Sequence, residues 1–383
     1  MKKVLLYLAS NSPFYTNLYP SIKRGFEEAG CLVEGGSNLL ESEALLKKIE
    51  TFQPDFVFEM NRVKSEIENF PKNVIHVCWL VDFWGRKHED LKGSDILYVW
   101  SYSWILHFEN VGVKNVHYLA PATDKTIYKD EKRKVKNEFV FLGHISKEWT
   151  EEELNRKVGT IGKNKKKLYF KDILKYIERF ILDPSPSNYF LNMLSNSKIA
   201  LDKNMDKSLV YDINSRAFRQ IRREHYIDKF INKDRKLWLY GSENWALYEK
   251  YKIFYKGYEE DPKKLSKIIQ SSQILLHDHV DLHFRTFDAM ACGTVVVIPK
   301  AKNTRKLVPS QWKMLGFQAQ EDYIDVDIYN GTISFENLNN KKKLEDIAQN
   351  AKKKVLAKHL WVHRALKVIE DVKNLKKDRY AKD

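Results

Sequence analysis

Cysteines, glycine-rich phosphate motifs and long apolar runs are scarce in this sequence, and each shortage excludes a class of protein. The three cysteines, Cys31, Cys78 and Cys292, are far apart and odd in number, which argues against a disulfide framework and favours a reducing compartment. No run approaches the roughly 18 apolar residues of a membrane-spanning helix. The short apolar run behind Lys2 and Lys3 lacks the length and the cleavage site of a signal peptide. We therefore expect a cytoplasmic protein that could at most lie against the inner face of the membrane.

Patterns of metal ligands are missing as well. No Cys-x-x-Cys pair and no His/Cys cluster has the spacing of zinc ligands. Residues 277–283 are rich in His and Asp, but their alternation would point these side chains to opposite sides of an extended chain. Asp325 and Asp327 are typical of a surface turn. We expect no bound metal.

Positive charge exceeds negative charge. Lys and Arg number 66 against 51 Asp and Glu, a formal net charge of +15 at pH 7. Such an excess suits an anionic partner, for example anionic lipid, a polyanionic glycan or nucleic acid. Lysine is spread along the chain with many Asn and Ile, so coding bias is the other explanation. The sequence has no helix-turn-helix, RNA-recognition or zinc-finger pattern, which argues against nucleic acid.

Apolar runs alternate with helical stretches along the chain, which predicts an α/β fold with two doubly wound domains facing a cleft. Residues 1–130 form the first predicted domain, and the absence of G-x-G-x-x-G after its first strand argues against dinucleotide binding there. The charged residues 129–138 are typical of a linker. Residues 138–345 form the second domain, with helices predicted over 145–200 as an insertion. Residues 346–383 are predicted to be a helical tail.

Residues 285–299 predict a helix, a glycine break and a buried strand. Gly293 suits the left-handed position that ends a helix, and the apolar residues 295–298 suit a strand covered on both faces. Arg285 and Asp288, three residues apart, lie near one face at the helix start, where free N–H groups favour an anion. Together they could bind an anionic ligand that carries hydroxyls. The simpler alternative is an ion pair that caps the helix.

The same stretch, Arg285-Thr286-Phe287-Asp288-Ala289-Met290-Ala291-Cys292-Gly293, resembles the R-x-F-E-A-x-A-C-G signature of GT-B glycosyltransferases, especially the spore-maturation-protein-like (CgeB-like) group. Further segments resemble this group in the right order over roughly residues 1–370. They are W-x-x-D at 79–82, P-x-x-D-x-x-x-Y at 121–128, the strand at 141–143, the strand and turn at 239–241, and a late H-T-x-x-x-R-like segment at 359–364.

The resemblance implies two Rossmann-like domains, an acceptor domain followed by a domain for a nucleotide-sugar donor. It implies catalysis in the cleft, no obligatory metal and no cofactor apart from the donor, which is a substrate. Asp288 would bind the donor ribose and a nearby basic residue would face the diphosphate. The sequence departs from the pattern at Asp288, where the group has Glu, at Leu360, where it has Thr, and at Val280, where many retaining relatives have an acid. The stereochemical outcome therefore stays open.

The remaining candidate residues follow predicted strands or turns. Gly241 and Ser242 are candidates for donor-phosphate binding, with an ordinary turn as the alternative, and Gly143 follows the first strand of the second domain, close to where the diphosphate should lie. Thr294 either contacts the donor or only ends the helix. Two catalytic candidates complete the set. His144 follows the first strand of the second domain, and Asp82 could be the general base for an acceptor hydroxyl, unless it is a helix cap.

The leading hypothesis is a metal-independent transfer of a sugar from a nucleotide-diphosphate sugar to a glycan, lipid-linked or protein acceptor. A sugar-nucleotide epimerase of the same fold is one alternative, because it would share the donor site. A non-enzymatic basic protein that binds nucleic acid is the other. Affinity for nucleotide sugars would distinguish the nucleic-acid-binding protein from the transferase and the epimerase.

Overall fold

The computed structural model describes the chain except for residues 84, 132–133, 183–189, 232–235, 301–309, 330–332, 334 and 381–383. Residues 132 and 133 of the predicted linker and the last three residues of the predicted tail lie outside the described residues. In the described part, no helix is both long enough and apolar enough to cross a membrane.

The first half of the chain forms a parallel sheet with helices between its strands. The apolar runs predicted as strands are buried; every residue of the fourth strand, for example, is buried. The order of the six strands is β2-β1-β3-β4-β5-β6. The elements are β1 (Lys2–Tyr7), α1 (Pro13–Glu28), β2 (Cys31–Gly36), α2 (Ser42–Phe52), β3 (Phe56–Met60), β4 (Ile75–Leu80), β5 (Ile96–Val99), α3 (Ser103–Asn110) and β6 (Val116–Tyr118).

A smaller unit follows the first strand of the second half. It contains three strands in antiparallel pairing, in the order β10-β8-β9, and short helices. The elements are β7 (Asn137–Leu142), α4 (Glu151–Leu154), β8 (Lys157–Ile161), β9 (Lys166–Tyr169), α5 (Phe170–Leu182), α6 (Phe190–Asn196), β10 (Ile199–Leu201) and α7 (Lys207–Tyr211). We call residues 150–211 the insert. The prediction of helices over 145–200 is therefore wrong in part: Val158 and Leu168 belong to strands that pack on α5.

The second half completes its own six-stranded parallel sheet, in the order β12-β11-β7-β13-β14-β15. A π-helical turn (Asp212–Arg216) leads into α8. The elements are α8 (Ala217–Asp228), β11 (Leu237–Tyr240), α9 (Asn244–Leu247), β12 (Tyr255–Gly257), α10 (Pro262–Gln270), β13 (Ser272–Leu276), α11 (Phe284–Ala291), β14 (Val295–Pro299), α12 (Gln311–Met314), β15 (Ile324–Val326) and α13 (Glu336–Asn339). Asp325 lies in β15, not in the surface turn that the sequence predicted.

Two long helices end the described chain, α14 (Lys341–Lys358) and α15 (Trp361–Tyr380). The predicted boundary between residues 345 and 346 falls inside α14. The last helix returns to the first half of the chain, where Ala365 and Val368 join the core that contains Phe26 of α1. Arg364 fixes this crossing, because its Nε donates to the carbonyl of Ala120 at 2.9 Å.

Candidate functional site

A cavity of about 670 Å³ is lined by residues from both halves of the chain. Its wall includes α1 and residues 122–128 from the first half. The second half contributes the loop after β7, the loop after β12, the start of α11, and residues of α7 and α8. The loops lie at the carboxyl ends of parallel strands, which is where α/β folds bind ligands.

Asp288 lies in this wall and is 8% exposed. One carboxyl oxygen accepts a hydrogen bond of 2.5 Å from the hydroxyl of Thr123, which belongs to the first half of the chain. Burial raises the pKa of Asp288 to about 8, although the Thr123 hydrogen bond and the charge of Arg285 oppose this shift. Burial therefore favours the protonated form of this carboxyl.

Arg285 lies one turn earlier on α11. Its guanidinium donates a hydrogen bond to the carbonyl of Leu142, the last residue of β7. Burial, and then the charge of Arg223, lowers the pKa of Arg285 from its usual value. The N-cap of α11 is His283, whose Nδ1 accepts a hydrogen bond of 3.3 Å from the Arg285 amide. Arg285 and Asp288 are thus available for a role other than capping.

The loop after β7 is held in place by the residues that follow β11, in the next loop and in α9. Trp245 donates its indole N–H to the carbonyl of Gly143 at 2.7 Å, and the hydroxyl of Ser242 donates to the carbonyl of Ile145 at 2.9 Å. Gly143 and Ser242 line the cavity. Gly241 does not line the cavity but lets the two loops approach closely, since a Cβ atom there would lie 2.0 Å from the carbonyl oxygen of Gly143. These contacts fix the backbone of this part of the cavity wall.

His144 lines the cavity beside Tyr258, with 5.5 Å between the ring centroids. Burial lowers the pKa of His144, and the positive charges of Arg285 and Arg223 lower it further. A neutral imidazole in this position can donate one hydrogen bond and accept another.

Two arginines of α8 were not assigned to the site from the sequence. Arg219 and Arg223, four residues apart and so on one face of the helix, both line the cavity. The Nε of Arg223 donates to Asp278 at 2.8 Å, and its guanidinium also donates to the carbonyl of His144. Although burial opposes it, this arginine holds the pKa of Asp278 well below its usual range. The basic spacing in residues 214–230 was the signal that could have identified them.

The structure does not bring Asp82 and Thr294 to the described cavity wall. Asp82 is exposed after β4, and its amide donates to Oδ1 of Asn61 at 3.0 Å. Thr294 is 2% exposed because Gly293, at a φ of 73°, turns the chain toward α10. The hydroxyl of Thr294 donates to the carbonyl of Ile269 at 2.9 Å and so stabilises the turn that follows the helix.

The residues at 277–283 that resemble metal ligands have other partners. His277 is hydrogen-bonded through Nε2 to the carbonyl of Asp281, Asp278 pairs with Arg223, and His283 caps α11. Over the described residues, no group of three or more His, Cys, Asp or Glu side chains is placed to bind a metal ion.

Comparisons with known proteins agree with this geometry. Residues 215–370 match a family model described as glycosyl transferase-like. The fold is similar to HepE from Anabaena solved in complex with UDP, at 14% identity and a TM-score of 0.53, covering 97% of this chain and 100% of that chain. HepE was also solved in complex with UDP-glucose, at 13% identity and a TM-score of 0.52, covering 98% and 100% of the two chains.

A third similar structure is AviGT4, a glycosyltransferase involved in avilamycin A biosynthesis, at 10% identity and a TM-score of 0.52, covering 98% of each chain. The sequence has no significant match among curated proteins. These findings show a shared fold and a family match over residues 215–370, and they do not distinguish the spore-maturation-protein-like group. The chain has the GT-B fold, with its two parallel six-stranded sheets, and residues 215–370 carry the sequence features of the glycosyl transferase-like family.

Proposed function

We propose that this protein transfers a sugar from a nucleotide-diphosphate sugar to an acceptor hydroxyl. One observation carries the proposal: Arg285, Asp288 and the loop of Gly143 and His144 line one cavity in a chain of GT-B fold. The chain combines an arginine, a helix start and fixed backbone groups on one side of that cavity. This is the chemistry that a diphosphate and its ribose require.

In this proposal the donor lies against the second half of the chain. Arg285 and Arg223 face the diphosphate, and Asp288 binds the ribose hydroxyls in place of its present hydrogen bond to Thr123. The backbone held by Gly241 and Ser242 lies behind the phosphates. Uridine diphosphate sugars are the first donors to test, because HepE, which has a similar fold, was solved with UDP and with UDP-glucose.

Bond cleavage would leave negative charge on the departing nucleoside diphosphate. Arginines and helix N–H groups already in position stabilise such charge without reorganisation. We therefore propose a metal-independent reaction, in which Arg285, Arg223 and the start of α11 neutralise the leaving group. Of the two catalytic candidates, we retain His144, because it lines the cavity and its neutral ring can bind a reacting hydroxyl. Asp82, which lies outside the wall, is not assigned.

The proposed acceptor side is the wall from the first half of the chain. Phe14 of α1 is 45% exposed although it lines the cavity, and Trp361 lies in the same wall. The exposed aromatic face of Phe14 suits the apolar face of a sugar ring. The acceptor proposed is a glycan or a glycosylated lipid or protein, and this wall is where it would bind.

The test is a thermal-shift screen of nucleotides and nucleotide sugars, beginning with UDP and UDP-glucose, followed by analysis of the products. We expect at least one nucleotide sugar to raise the melting temperature of the wild type and to lose this effect in Asp288→Ala. Asp346→Ala, at an exposed position of α14, is the control.

Three outcomes would contradict the proposal. If no nucleotide or nucleotide sugar stabilises the wild type, the donor site is wrong. If Asp288→Ala binds equally well, the role of Asp288 is wrong. If the donor is converted into an isomeric sugar nucleotide without any acceptor, the protein is an epimerase.

A further inference from the structure

The turn between β8 and β9 is strongly basic. Lys163, Lys165, Lys166 and Lys167 are all exposed on this hairpin. Residues 157–175 contain seven lysines and one acidic residue, Asp172, a net charge of +6. A large share of the net charge of +15 therefore lies in one short segment of the insert.

Lys163 and Lys165 lie in the turn and Lys166 and Lys167 begin β9, and all four side chains stay outside the core. Within the described part of the chain, none of their ammonium groups forms an ion pair or a side-chain hydrogen bond. Lysines elsewhere do form such pairs; Lys352, for example, lies 3.0 Å from the carboxylate of Asp130. The nearby acid is also occupied, because the Asp172 carboxylate accepts the amide N–H of Tyr169 at 3.0 Å. The charge of the turn is therefore not neutralised locally.

The base of the hairpin is held by strand pairing and by core packing. The central strand β8 pairs with both β9 and β10. The inner face of this small sheet packs Val158 and Leu168 against Ile173 and Ile177 of α5. A substitution at the exposed turn should leave this core unchanged.

The chemistry of the turn indicates the kind of anion. All its cations are lysines, which act as mobile point charges, whereas bidentate phosphate sites favour the planar fork of arginine. Residues 162–167 include no aromatic side chain on which a nucleic-acid base could stack. Four to eight clustered lysines without a pocket suit the diffuse field of an anionic bilayer. We propose that the β8–β9 hairpin docks this protein on anionic phospholipid membrane. The proposal does not depend on the donor site.

The experiment measures co-sedimentation of the full chain with vesicles of phosphatidylcholine, with and without phosphatidylglycerol. We expect binding only to the anionic vesicles, weakened by added salt. The variant K163Q/K165Q/K166Q/K167Q should bind at least about tenfold more weakly, since each lysine near such a surface contributes a several-fold effect. The control K341Q/K342Q/K353Q/K358Q removes equal charge from exposed lysines of α14 and should bind like the wild type.

Several results would overturn the proposal. One is a wild type that binds vesicles equally with and without phosphatidylglycerol. Another is an equal loss in both quadruple variants, which would make net charge the cause. A third is hairpin-dependent binding to heparin or to RNA without vesicle binding, which would identify a soluble polyanion. Should the quadruple variant fail to fold, K165Q and K167Q measured singly should each weaken vesicle binding several-fold, and unchanged binding in both would overturn the proposal. Vesicle binding is measured without a donor, so a negative result would not contradict the proposed transferase activity.

Discussion

Asp288 should make the stability of the folded protein depend on pH. Burial raises the pKa of its carboxyl from 3.8 to about 8, so between these values the folded chain keeps a proton that the unfolded chain has lost. The contribution of this proton to the free energy of unfolding is full below the pKa of the unfolded chain. It is lost as pH rises through the pKa of the folded chain. We expect Asp288→Asn, which stays neutral, to remove this decline and to gain stability relative to the wild type above pH 8, on the order of a few kcal/mol.

Urea unfolding across this pH range measures the effect. Parallel stability profiles for the wild type and Asp288→Asn would show that the carboxyl is not held neutral by its surroundings. The same variant also tests recognition, because an amide can bind ribose hydroxyls but cannot become the charged acceptor that a carboxylate becomes.

Arg285 should distinguish the phosphates from the rest of the nucleotide. If its guanidinium faces the diphosphate, Arg285→Ala should weaken UDP binding about tenfold or more, since charge-assisted hydrogen bonds contribute roughly 1.5–3 kcal/mol. Uridine, which has no phosphate, should lose much less. Calorimetric titration with both ligands gives the comparison, and Arg179→Ala, an exposed arginine of α5, is the control. Equal losses for UDP and uridine would remove Arg285 from the diphosphate site.

At the scale of elements, the fixed loop after β7 depends on the absence of a side chain at Gly241. This residue has a φ of 153°, and a Cβ atom there would lie 2.0 Å from the Gly143 carbonyl oxygen. We expect Gly241→Ala to cost on the order of 2 kcal/mol or more and to lower donor affinity, because the loop of His144 must move. Gly36→Ala is the matched control, since no atom lies within 4 Å of its added Cβ.

Chemical unfolding and donor titration of both glycine variants test this expectation. A Gly241→Ala protein with wild-type stability would mean that the two loops adjust independently. A loss of stability without a loss of donor affinity would separate the fold of this loop from its proposed role in binding phosphate.

Much of the element order was predictable because most of the buried strands contain a run of three or more apolar residues. The two sheets, α11 and the glycine turn at Gly293 follow from that pattern. The strands of the insert were missed, since β9 has two lysines in four residues and shows little apolar alternation. A short strand that buries one or two side chains gives too weak a periodic signal to separate it from a helix or a loop.

The candidate site was predictable where it depends on topology. Parallel strands end at one edge of a sheet, so Gly143, Ser242 and Arg285 could be grouped without coordinates. Thr123 could not be found in this way, because its hydrogen bond to Asp288 depends on how the two halves of the chain meet. Asp82 could not be judged in this way either: its strand was identified, but whether its loop reaches the cavity depends on the assembled molecule, where Asp82 is not part of the described wall.

At the scale of the whole molecule, α15 joins the two halves. Trp361, which is 6% exposed, lies at its start and lines the cavity. Its ring centroid lies 5.8 Å from that of Trp79 in the first sheet and 6.1 Å from that of Phe284, the first residue of α11. The helix that carries Arg285 is therefore packed, through one indole, against the core of the other half.

Trp361→Ala should consequently affect stability and binding together. Removing a buried indole costs about 3–5 kcal/mol, and the gap would free the start of α11, so we expect weaker donor binding as well. Val362→Ala, at the half-buried next position, should change both far less. Urea unfolding followed by circular dichroism, with donor titration of the folded protein, measures the two effects. If Trp361→Ala loses stability but binds donor like the wild type, α11 is positioned by its own half alone, and the packing across the cavity serves stability without shaping the site.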